Sequence, residues 1–181
     1  MSCTKGPYNK MVTKDEECSK AWANVENVYQ RRLDLIPNLV KTVQGAAEYE
    51  KGTLTAVIEA RAKATSVQVD ANNLTEESIA QFQAAQDQLS SALSRMLITI
   101  ERYPELKANE NFKELQAELE GTENRIAVER NKFNEVVQDY NSYIRKFPNN
   151  ITAGIFNFDK KGYFKATAGA ENAPSVEFNF D

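Results

Sequence analysis

The sequence predicts an all-α protein: an antiparallel bundle of three long helices, or four if Pro37 divides the first, followed by an extended C-terminal tail. Three observations lead there. From about residue 14 to about residue 65, apolar residues recur at steps of mostly three and four, the spacing of a helix with one buried stripe. Further on, Phe112, Leu119, Ile126, Phe133, Tyr140 and Phe147 stand seven apart, a repeat that packs helices at shallow angles with a left-handed supercoil. Beyond Pro148, Gly154, Gly162, Gly169 and Pro174 break the period.

Residues 1–12 read as a short irregular lead-in, with Gly6-Pro7 as a breaker pair. The bundle then spans 13–147. Thr13 is placed to cap the first helix, with Glu16 completing a Thr-x-x-Glu capping box and Asp15 favourable beside the helix N-terminus. The apolar row follows as Cys18, Trp22, Val25, Tyr29, Leu33, Ile36, Leu39 or Val40, and Val43, and it resumes at Leu54, Val57 and Ile58. Pro37 falls inside that row. It lacks an N–H, so the carbonyl of Leu33 loses its helical partner and a kink is expected.

Residues 66–74 lose the period and read as a loop. Thr75 caps the next helix, with Glu76 and Glu77 in its first turn and Leu74 and Ile79 placed for a hydrophobic staple. Phe82, Leu89, Met96 and Tyr103 are seven apart, while a companion row of Ile79, Leu93 and Ile100 misses at Gln86. Pro104 disfavours a helical Tyr103 and ends this helix. Asn111 is a candidate cap for the last helix, whose second row turns polar at Thr122 and Glu129 before Pro148 stops it. The tail, 148–181, keeps Ile151, Ile155, Phe156, Phe158, Tyr163 and Phe164. That is too apolar for disorder, so it is expected to lie extended along the bundle or a partner, with alternation at 155–158 and 176–180 permitting short strands.

Composition excludes more than it assigns. A net charge of −4 and a pI of about 5.1 argue against nucleic acid as a partner. There is no histidine, which removes the commonest general base and metal ligand together. Cys3 and Cys18 are the only cysteines. They do not make a disulfide framework or a zinc site, and Cys18 falls where a small core residue belongs. No phosphate-cradling glycine loop and no apolar run of membrane-spanning length is present. No catalytic residue, metal site or cofactor is assigned.

The structural or interaction candidates are polar groups inside the helical pattern. Arg31, Arg32 and Asp34 interrupt the first row, and Glu123 and Asn124, with Glu129, form the polar gap of the last. An interhelical ion pair between them reads first as a device that fixes helix register, and second as a ligand or partner site. Pro37 and Asn38 lie beside this stretch, and Tyr140 belongs, with Tyr29 and Tyr143, to an aromatic row read as core. Glu114, Glu118, Glu120 and Glu123 read as a solvated face rather than a hard-cation site. Asn150-Ile151-Thr152 is a formal glycosylation triplet.

The stretch Tyr29-Gln30-Arg31-Arg32-Leu33-Asp34-Leu35-Ile36-Pro37-Asn38-Leu39-Val40-Lys41-Thr42-Val43-Gln44-Gly45 resembles the signature of the bacterial LemA family. So do Leu54 with Val57, Glu59-Ala60-Arg61, Tyr103-Pro104-Glu105-Leu106-Lys107-Ala108-Asn109, the run from Leu115 to Ile126, Arg130-Asn131, Tyr140-Asn141 and Phe147-Pro148. The resemblance implies an antiparallel helical bundle held outside the cytoplasmic membrane by a hydrophobic anchor just before Tyr8-Asn9. That anchor is missing from this sequence. A chain trimmed before Tyr8 is preferred over lipidation of Cys3 as the reason. The resemblance implies no established enzymatic activity, and some family members look linked to membrane proteases.

The expected function is therefore a non-enzymatic, membrane-tethered scaffold or adaptor of the bacterial cell envelope, with an envelope membrane protein or protease as partner. Self-assembly into oligomers or filaments is the alternative, and a carboxylate-based enzyme is a third reading.

Overall fold

Among the described residues six helices run in chain order: α1 Lys5–Gln44, α2 Lys51–Ser66, α3 Glu76–Ile100, α4 Pro104–Ala108, α5 Glu110–Arg145 and α6 Asn149–Phe156. They are seen in a computed structural model that describes residues 5–45 and 50–166. Among the described residues the fold is all-α, without a strand. The long helices α1 and α5 pack along one another, and α2 packs on α3. The α1–α5 pair is antiparallel, since contacts step forward on one and backward on the other: Lys14 meets Asp139, Cys18 meets the Val136 carbonyl, and Arg32 meets Glu123.

The expected stripes form the core. Cys18, Trp22, Val25, Tyr29, Leu33 and Ile36 are buried along α1, and Phe112, Leu119, Ile126, Phe133 and Tyr140 along α5. The α5 row ends at Tyr140, because Phe147 lies past the helix and is 81% exposed. Thr75 caps α3 as expected, its hydroxyl accepting from the Ser78 N–H at 3.1 Å, and Leu74 and Ile79 are both buried beside it.

Four boundaries differ from the sequence reading. Residues 5–12 are helical rather than irregular. Thr13 is consequently mid-helix, with its hydroxyl donating to the Asn9 carbonyl at 3.1 Å instead of capping. Pro37 does not divide the first helix, which continues to Gln44, and α2 resumes at Lys51. The cap of α5 is Asn109, accepting from the Phe112 N–H at 3.1 Å, and Asn111 lies inside the helix.

The tail departs from the expected extended form at its start. Residues 149–156 make α6, closed by Asn157 in the left-handed region (φ 57°), with the Phe158 N–H donating to the Ala153 carbonyl at 3.0 Å. Residues 158–166 then run back along the bundle without helical or strand structure. The strand expected at 176–180 and the Cys3 reading fall outside the described residues.

Candidate functional site

The candidates converge on a polar layer at mid-bundle. Arg32 enters from α1 and is 1% exposed. One terminal nitrogen donates to Glu123 Oε1 of α5 at 2.8 Å and to Ser90 Oγ of α3 at 2.6 Å. The other donates to the Gln86 side-chain oxygen and to the Gln86 carbonyl, the latter at 3.2 Å. The planar guanidinium thus joins three helices, and it also lies 5.1 Å from the centroid of the Tyr29 ring. Gln86, the misfit in the α3 heptad row, is 2% exposed and is an Arg32 partner.

This layer separates two apolar clusters. One contains Leu33, Leu89, Met96 and Leu119, and the other contains Trp22, Tyr29, Phe82, Ile126 and Phe133. The ion pair is lopsided, because the Glu123 side chain keeps 41% of its surface exposed while that of Arg32 keeps 1%. Water therefore still solvates the carboxylate and lowers the desolvation penalty of the pair. Glu123 and Asn124 also line, with Ser90, Leu93, Leu97 and Leu119, an open groove of about 390 Å3.

The other sequence candidates lie apart from the layer. Arg31 and Asp34 are exposed, and Asp34 accepts from Gln30 Nε2 at 2.8 Å. Asn38 is exposed, and its carbonyl accepts from the Thr42 hydroxyl at 2.9 Å. Pro37 acts through Leu33, whose carbonyl accepts from Arg61 Nε at 2.9 Å. Tyr140 is buried in the second cluster and donates to the Asp159 carbonyl at 3.0 Å. Burial, followed by the charge of Asp15, pushes its hydroxyl pKa upward. Among the described residues no group of three or more Asp, Glu or Cys is placed to hold a metal.

A second polar system was not singled out from the sequence. The backbone of 158–166 has no strand beside it, so carboxamides stand in for one. Asn141 donates to the Lys161 carbonyl and accepts from the Lys161 N–H, both at 2.9 Å. Asn134 does the same for Phe164, and Gln83 for Lys165, each bond again 2.9 Å. The Gly162 N–H donates to the Leu74 carbonyl at 2.8 Å. A Cβ on Gly162 would sit 2.6 Å from Glu76 Cα and 2.7 Å from the Thr75 carbonyl oxygen, so only glycine fits there. These contacts seat Phe164 among the rings of Trp22, Phe133 and Phe82, with centroids 5.9, 5.6 and 6.3 Å away, under the Arg130 guanidinium at 4.8 Å. The only sequence signal was the persistence of aromatic residues in the tail.

The model of the LemA family matches residues 21–178. The chain is 26% identical over 177 residues to the magnetosome protein MamQ 2 of Paramagnetospirillum magneticum, with 87% of this chain and 64% of that protein covered. It is 27% identical over 176 residues to the magnetosome protein MamQ of Magnetospirillum gryphiswaldense, with the same coverage. Protein LemA of Metamycoplasma hominis is 22% identical over 162 residues, covering 90% of this chain and 70% of that protein. The chain thus spans about 64% of the length of the MamQ relatives it matches. No described helix is long and apolar enough to cross a membrane.

Proposed function

The chain belongs to the LemA family, and from that premise we propose that it is a non-enzymatic scaffold or adaptor of the bacterial cell envelope, tethered to a membrane with its bundle outside the cytoplasm. The observation that carries this reading is the fate of Arg32. All four of its terminal N–H groups end on Glu123, Ser90 and Gln86 of the same chain. The most elaborate polar cluster aligns helices, and it presents no activated nucleophile or general base to a substrate. A rigid bundle of this kind offers long outer faces for a partner, and the magnetosome naming of two relatives supports a place in a membrane-associated assembly.

Cross-linking pull-down from the native envelope, using the full-length protein expressed in its own cells, tests it. A single recurrent envelope membrane protein is the expected result. Recovery of the protein alone would replace the adaptor reading with self-assembly.

A further inference from the structure

The end of the bundle formed by the start of α1, the end of α5 and α6 is built unlike the rest of the molecule. Helix α6 packs on both α1 and α5. It turns Thr152 and Ala153 inward, while Ile151 and Ile155, one turn apart, stay 54% and 65% exposed. A helix that hides a threonine and shows two isoleucines reverses the usual sorting of a soluble surface. Around it, Phe147 is 81% exposed, Phe156 49%, and Tyr8 and Val12 each 37%. Tyr8 lies 4.7 Å from the Phe156 ring and 5.8 Å from the Phe158 ring, so these three rings meet at the start of α1 and the end of α6.

The charge at this end is equally one-sided. Segments 5–13 and 140–158 carry Lys5, Lys10, Arg145 and Lys146 and no Asp or Glu, in a chain whose net charge is −4. All four cations are exposed. Of the acids that flank these segments, Asp15 is paired with Lys161 at 2.7 Å and Asp139 with Lys14, while Asp159 is exposed and followed by Lys160 and Lys161.

We propose that this tip docks on an anionic lipid surface, with Phe147, Ile151 and Ile155 entering the headgroup–acyl boundary and Lys5, Lys10, Arg145 and Lys146 meeting lipid phosphates. Apolar groups on one face with lysine and arginine around them are the chemistry of an interfacial membrane contact. Isolated isoleucines and phenylalanines enter a fluid acyl region without needing a complementary pocket. A second copy of the chain is a poorer occupant, because two such tips would bring eight exposed cations together. The contact would supply membrane affinity whether or not the bundle carries a partner, so it goes beyond the adaptor reading and fails independently of it.

The 181-residue chain is titrated with vesicles of phosphatidylcholine alone, and with vesicles containing an equal share of phosphatidylglycerol. Binding to the anionic vesicles only, weakened by added salt, is expected. Ile151→Ser with Ile155→Ser should weaken it at least about tenfold, as should Lys10→Glu with Lys146→Glu. Ile98→Ser with Val128→Ser, at positions 69% and 50% exposed elsewhere on the bundle, should leave it unchanged. If the isoleucine pair melts early, the charge-reversal pair decides, since it alters only exposed lysines. Equal binding to both vesicle types, or wild-type binding by the tip variants, would overturn the proposal. So would failure to bind vesicles while binding polyaspartate, which would point to an acidic protein instead.

Discussion

Arg61 donates from Nε to the carbonyl oxygen of Leu33 at 2.9 Å, and that carbonyl is the one Pro37, four residues on, leaves without a helical N–H. The proline and the arginine therefore form a functional pair although they lie on different helices. The hydrogen bond ties α2 to the middle of α1 across the connection that follows Gln44, and it lets α1 continue through a residue that would otherwise end it.

Arg61→Ala should destabilise the protein by about 1–2 kcal/mol, since it strands a partly buried carbonyl. Pro37→Ala restores an N–H four residues beyond Leu33, so adding it to Arg61→Ala should recover much of that loss. Urea denaturation of the two single variants and the double variant measures the coupling. Purely additive effects would mean the two residues act separately.

The strap over the bundle should be held by Phe164 and admitted by Gly162. Phe164→Ala is expected to lose about 3–4 kcal/mol as an unfilled cavity in an aromatic cluster. Gly162→Ala cannot be accommodated without moving the backbone at Thr75 or Glu76. It should release 158–166, seen as faster hydrogen exchange there while the mid-bundle amides of α5 stay protected.

Burial pushes the Cys18 thiol up to about 12, from an ordinary 9.0, and raises the hydroxyls of Tyr29 and Tyr140 from 10.0. The unfolded chain thus loses these protons at lower pH than the folded one. Stability from these groups is complete below about pH 9 and declines as pH rises from there toward 12. Melts across that window should show the decline, and native Cys18 should resist alkylation by iodoacetamide at pH 8.

The sequence made the stripes, the all-α fold and the Arg32–Glu123 candidates legible because they are periodic or break a period. Gln86 was visible only as a gap in a heptad row, and its partnership with Arg32 needed the third helix in place. Thr13 and Asn111 satisfied the rules for caps, but each rule sees a few residues at a time. Packing of Tyr8 and Met11 near α6 extends α1 past the first signal, and Asn109 follows directly on the short α4. The tail was the least legible part. Its backbone is paired by Gln83, Asn134 and Asn141, which lie 82, 30 and 20 residues from their partners, and no local pattern records contacts at that range.

Urea unfolding of Arg32→Ala measures whether the polar layer aligns α1, α3 and α5. The substitution removes the donors that Glu123, Ser90 and Gln86 share and leaves a cavity between the two apolar clusters. A loss of about 2–4 kcal/mol is expected, toward the lower end for a buried pair because Glu123 reaches water. Wild-type stability in Arg32→Ala would overturn the alignment role and return the site to the class of ligand-binding positions.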